Sequence, residues 1–157
     1  MEQHISVEKH IANLCRARFP MLYITTWEEE RALKTLYRLV RDVEFIKTER
    51  TLFVWRITTG IEKIENEIDI AAGGKSEADT SDPLKALAFI QKYDKPALLV
   101  LLDFHVYFDQ RKPEAKVIRK TRDTVNILKG GIVPKNVILL APRLMLPNEL
   151  QKDITIV

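Results

Sequence analysis

Ala97-Leu98-Leu99-Val100-Leu101-Leu102 is an unbroken apolar run closed by Asp103. Successive side chains of a strand point to opposite faces, so a half-solvated strand alternates apolar with polar residues. This run does not alternate, which places it in the middle of a parallel sheet covered by helices on both sides. Thr51–Ile57 (Thr-Leu-Phe-Val-Trp-Arg-Ile), Val137–Ala141, Met21–Thr25 and Ile154–Val157 also have strand composition. Between them lie helical patterns. Ser6 can cap a first helix, with Val7, Ile11, Leu14 and Cys15 on one stripe. Thr26 and Glu29 have capping-box spacing for a second helix, which continues to about Val43 with Leu33, Leu36, Val40 and Val43 on one face. Asp82-Pro83 reads as an N-cap followed by Pro at the first helical position of a helix ending near Tyr93. Pro113–Lys129 is a basic helix with Ile118, Val125 and Leu128 as its buried line, stopped by Gly130-Gly131. Pro147–Leu150 is a short helical turn. The alternation predicts an α/β fold: a five-stranded parallel sheet with right-handed crossovers and helices on both faces. Thr51–Ile57 and Val137–Ala141 should flank Ala97–Leu102, with Met21–Thr25 beyond Val137–Ala141.

The 157 residues suit one domain, 1–157, and 46% hydrophobic content suffices for a core. A single cysteine excludes an internal disulfide framework and a Cys-rich zinc module. No apolar run reaches the ~18 residues of a membrane span. The first residues, Met-Glu-Gln-His-Ile, lack the layout of a secretory signal, so a soluble protein of a reducing compartment is expected. The net charge of +3 is too mild to imply nucleic acid by itself, but the charge is uneven. Residues 61–82 carry a net −5 and read as a long acidic surface loop, with a short helix or hairpin around Ile61–Ile70. Residues 111–129 carry a net +5.

Ligands of such sheets sit at the carboxyl ends of the strands. A phosphate loop there needs glycines, so that backbone N–H groups turn inward, and a Lys. Thr25–Arg31 (Thr-Thr-Trp-Glu-Glu-Glu-Arg) has neither, and Glu28, Glu29 and Glu30 answer the helix dipole themselves. Asp103 ends its strand as a magnesium-side Asp does in nucleotide hydrolases, but Phe104 follows it. It reads instead as a structural carboxylate capping nearby N–H groups. Gly74-Lys75-Ser76 resembles the tail of a Walker A motif, yet Asp69 stands where its first Gly belongs and loop residues follow. His4, His10 and Cys15 lack metal-ligand spacing, and nothing brings His105 to Cys15 as a nucleophile pair. No catalytic residue, metal or cofactor is therefore expected. Lys116, Arg119, Lys120 and Arg122 fall within two turns of the basic helix. They read as a solvated face or a contact for an acidic protein surface. Without an interleaved aromatic, nucleic acid is not the expected partner.

Several stretches together resemble a known family. They are Pro20-Met-Leu-Tyr-Ile-Thr-Thr-Trp-Glu-Glu-Glu-Arg31, Phe53-Val-Trp-Arg-Ile-Thr-Thr-Gly60, Asp82-Pro-Leu-Lys-Ala-Leu87 and Ala97-Leu-Leu-Val-Leu-Leu-Asp-Phe-His105. Asn136-Val-Ile-Leu-Leu-Ala-Pro142 and Leu146-Pro-Asn-Glu-Leu-Gln-Lys-Asp-Ile-Thr-Ile-Val157 complete the set. In this order they are similar to the N-terminal region of the AAA-type ATPase of cyanobacteria and plastids first catalogued as a hypothetical chloroplast reading frame. The resemblance implies a degenerate P-loop-type domain, strand order 5-1-4-3-2, that precedes the catalytic AAA module and has lost its nucleotide site. Thr25–Arg31 then replaces the phosphate loop, Asp103 is the surviving Walker B Asp, Phe104 replaces the catalytic Glu, and Ala141-Pro142 replaces the polar sensor. The chain stops where that module would begin, so the family's ATPase activity is not expected of these residues. The implied role is non-catalytic: regulatory or assembly contact with an AAA+ ATPase module or another protein, in the cytoplasm or plastid stroma. The alternatives are a nucleotide-binding enzyme with an atypical site and a nucleic-acid-binding module using the helix at 113–129.

Overall fold

The computed structural model describes residues 6–157, with the backbone alone at Phe45; His4 lies outside the described residues. Ala97–Leu102 forms a strand whose six side chains are all buried, as its unbroken apolar run requires. In chain order the strands are β1 (Met21–Thr25), β2 (Thr51–Arg56), β3 (Gly60–Ile64), β4 (Lys75–Ser76), β5 (Ala97–Leu102), β6 (Lys135–Ala141) and β7 (Thr155–Ile156). The helices are α1 (Val7–Arg16), α2 (Glu29–Arg41), α3 (Val43–Ile46), α4 (Ile68–Ala72), α5 (Pro83–Lys92) and α6 (Ala115–Gly130), with 3-10 turns at Phe104–Phe108 and Asn148–Leu150. β5 pairs in parallel with β2 and β6, and β6 pairs in parallel with β1.

The sheet corrects the expectation of five parallel strands. It has seven, in the order β4-β3-β2-β5-β6-β1-β7, and it is mixed, because β3 runs antiparallel to both β2 and β4. The order therefore differs from 5-1-4-3-2 by two strands added beyond β2. Both come from the segment read as an acidic loop. Its acids conceal a strand: Ile61 packs on one face of the sheet, and Ile64 and Ile70 on the other. Glu62 is buried on β3, and Arg56 of β2 meets its carboxylate at 3.3 Å. Thr80 fastens the end of the segment. Its hydroxyl accepts from the Ile61 N–H (2.8 Å), and its carbonyl accepts from the Trp55 indole (2.7 Å).

One face of the sheet packs against α1, α2, α3 and α4 through Leu22, Val54, Leu98, Val100 and Ile138. The other packs against α5, α6 and the two 3-10 turns through Tyr23, Phe53, Trp55, Leu99, Leu101 and Leu139. Ser6 caps α1 as expected, but Val7 is exposed and the buried stripe is Ile11, Ala12 and Cys15. Asp82 caps α5, accepting from the Lys85 N–H at 3.2 Å. The capping box at Thr26 does not form. The Thr26 N–H donates to Ala141 O (2.9 Å), extending the β1–β6 pairing, so the helix starts at Glu29 with no side-chain cap. α2 ends at Arg41, and Asp42 caps α3 through the Glu44 N–H, which leaves Val43 exposed. In α6 the buried line is Val117, Thr121, Thr124, Val125 and Leu128; Ile118 is only partly buried. Both buried hydroxyls are satisfied: Thr121 donates to Val117 O and Thr124 to Lys120 O. No helix among the described residues is long and apolar enough to cross a membrane.

Candidate functional site at the strand ends

The carboxyl ends of β1, β2, β5 and β6 share one edge of the sheet. After β1 the chain turns at Thr26, whose hydroxyl accepts from the Glu28 N–H (3.0 Å), and enters α2 at Glu29. Glu28 pairs with Arg31 and Glu30 with Lys34, each at 3.2 Å. Trp27 projects into solvent, 81% exposed.

After β5, Asp103 adopts the left-handed conformation, with φ 58° and ψ 28°. Its side chain caps nothing and is exposed, contrary to the expected capping role. The residue after this left-handed turn, Phe104, is fully buried. Its ring lies 5.5 Å from Trp55, 5.1 Å from Tyr107 and 5.6 Å from Phe108, in edge-on arrangements that favour aromatic pairs. The place beside Asp103 thus belongs to the core. His105, also buried, has its pKa lowered, chiefly by that burial; Asp103 opposes the shift and Arg143 adds to it. After β6, Ala141-Pro142 leads to Arg143, whose carbonyl accepts from the Tyr23 hydroxyl; the same hydroxyl accepts from the Met145 N–H at 3.2 Å.

Between the ends of β2 and β5 lies a cleft of about 250 Å³. Trp55, Ile57, Leu102, Val106 and the Tyr107 ring wall it, and Glu29 and Asp103 bring polar groups to it. No single strand end announces it, because its walls come from three separate segments. Among the described residues, no group of three or more His, Cys, Asp or Glu is close enough to hold a metal ion. Cys15 and His105 are not brought together. His105 follows β5, whereas Cys15 lies by Arg50, ahead of β2 at the opposite edge. Burial pushes the Cys15 thiol up to about 11. Arg50 is itself buried; it donates to Asn136 Oδ1 and to Cys15 O (3.5 Å), a structural cluster that no sequence motif signals. Gly74-Lys75-Ser76 leads into edge strand β4 rather than a helix.

None of Lys116, Arg119, Lys120 and Arg122 lines this cleft; on α6, Lys116 and Arg119 lie opposite the buried line and Lys120 and Arg122 flank it. Lys116 and Arg119 are exposed, Lys120 and Arg122 partly so, and Arg119 pairs with Asp123 at 2.8 Å.

The family model described as "SpoVK-like AAA ATPase, N-terminal domain" matches residues 7–157. A protein of Guillardia theta named "Uncharacterized AAA domain-containing protein ycf46" is 29% identical over 154 residues, covering 97% of this chain and 27% of the relative. The protein of the same name from Trieres chinensis is 28% identical over 145 residues, covering 91% and 26%. The chain spans about a quarter of the length of these relatives.

Proposed function

We propose, from the premise that the chain belongs to the family of SpoVK-like AAA ATPase N-terminal domains, that it is a non-catalytic domain acting by protein–protein contact in the regulation or assembly of an AAA+ ATPase. The observation that carries this reading is the β1–α2 connection. Phosphate binding at a helix N-terminus uses inward N–H groups and an unopposed dipole. Here side chains occupy every position of Thr25–Glu30, Thr26 is drawn into the sheet, and Glu28 to Glu30 supply the negative charge. Phe104 adds support, since a buried ring stands where a water-positioning carboxylate would be needed. The outer face of α6, with Lys116, Arg119, Lys120 and Arg122, is the proposed contact for an acidic protein surface. A cytoplasmic or stromal setting goes with this reading.

A phosphate-release assay tests it. The chain alone with Mg-ATP is expected to release nothing above buffer. In the full-length Guillardia theta relative, deleting the segment this chain matches is expected to change the release rate without abolishing it. Release by the chain alone, lost on Asp103→Ala, would contradict the reading and favour an enzyme with an atypical site.

A further inference from the structure

The cleft between β2 and β5 has apolar walls and unpaired negative charge. Among the described residues, neither Glu29 nor Asp103 has an ion-pair partner. The cation that also lines the cleft, Arg56, is engaged: it meets the Glu62 carboxylate at 3.3 Å and donates to Ile70 O at 3.5 Å. Tyr107 lines the cleft with its ring; its hydroxyl is buried near Asp82 and Glu114, out of a ligand's reach. Trp55 offers its ring but not its N–H, which Thr80 O takes. The rim is apolar and open: Ile57 is 59% exposed and Val106 53%. An apolar slot of this size suits a straight aliphatic stem, and two unpaired carboxylates suit a cationic, donor-only head.

The geometry points to this cleft as a receptor for an arginine or lysine side chain presented by a protein partner. The inference rests on the protein-contact reading and names its anchor. Arginine fits better than lysine, because its planar fork reaches several acceptors at once. The surrounding edge suits a partner that places apolar residues around that basic side chain: Trp27, Ile57, Val106 and Leu144, one from each strand-end loop, are all exposed there.

The test is a nitrogen-15 NMR titration of the full chain with N-acetyl-arginine amide, with N-acetyl-norleucine amide as the uncharged control. The arginine probe is expected to shift the amides of Ile57, Thr58, Asp103 and Val106 saturably, with a dissociation constant on the order of millimolar for so small a ligand. The double variant Glu29→Gln, Asp103→Asn is expected to weaken it roughly 3- to 10-fold. Asn tolerates the left-handed conformation as Asp does, and unchanged shifts elsewhere verify the fold. No saturable shift up to about 100 mM would overturn the proposal. Equal binding of the norleucine probe, or an unaffected double variant, would do the same. So would magnesium ions that occupy the cleft and displace the arginine probe. Mg-ATP shifting Thr25–Glu30 would instead strike the non-catalytic reading and leave the arginine shifts in place.

Discussion

Asp103 holds a left-handed backbone, which costs a residue with a Cβ roughly 1–2 kcal/mol and is easiest for Gly, Asn and Asp. Asp103→Asn should therefore leave the stability within about 0.5 kcal/mol, while β-branched Asp103→Val should lower it by about 1–2 kcal/mol. Urea unfolding of the two variants checks this; equal midpoints would show that the conformation is unstrained. His105 contributes a pH dependence with a definite sign. Its folded-state pKa lies below the ordinary value, so the unfolded chain binds the proton more readily. Stability should fall as pH drops from about 6.5 toward the folded pKa, and rise again with pH. In His105→Gln that stretch of the urea-midpoint profile should flatten. Cys15, with its thiol near 11 and buried, should react with a disulfide reagent at pH 8 only after opening, so its labelling rate should rise with urea. The residue-level chemistry was partly legible. Phe104 and the glycine-free Thr25–Arg31 can be read directly. The left-handed turn at Asp103 carries no glycine to announce it, so the sequence suggested a cap that the exposed carboxylate does not make.

Among the elements, β3 and β4 give the sharpest contrast. Gly74 passes so close to the neighbouring strand that an added Cβ would stand 2.0 Å from Lys63 O and 3.0 Å from its carbonyl carbon. The obstacle is backbone, so Gly74→Ala must displace β4, at about 1–3 kcal/mol. Gly130, the last residue of α6, has nothing within 4 Å of the place a Cβ would take and a negative φ, so Gly130→Ala should stabilise by about 0.4–1 kcal/mol. Thermal melts of the pair should move in opposite directions; a neutral Gly74→Ala would argue against the β3–β4 pairing. β5 and α5 were legible because one pattern covers each: a doubly buried run, and an Asp-Pro start. β3 was legible only as part of a short helix or hairpin around Ile61–Ile70, because its buried Glu62 reads as a surface acid until Arg56 is found opposite it. The capping box failed for a similar reason. Thr26 is shared between a helix start and a sheet edge, and the sheet hydrogen bond to Ala141 prevailed.

For the whole molecule, the parallel core follows from alternation of strands and helices, whereas the antiparallel extension beyond β2 does not. A hairpin inside a charged stretch breaks that rhythm and needs long-range partners, such as the Thr80 clasp on Trp55 and Ile61, to form. The candidate site divides in the same way. What is missing for phosphate binding lies in one contiguous stretch and can be read from it, whereas the cleft joins Glu29, Trp55–Thr58 and Leu102–Tyr107. The central claim is the proposed one: the domain acts by protein contact, and this edge does not carry nucleotide chemistry. Isothermal titration of the chain with Mg-ATP tests it most directly. A micromolar site must supply about 8 kcal/mol, and an edge with no inward N–H loop and three glutamates at its helix start offers no source for it. The account predicts no heat beyond dilution; a dissociation constant below about 10 μM, lost in Asp103→Ala, would contradict it.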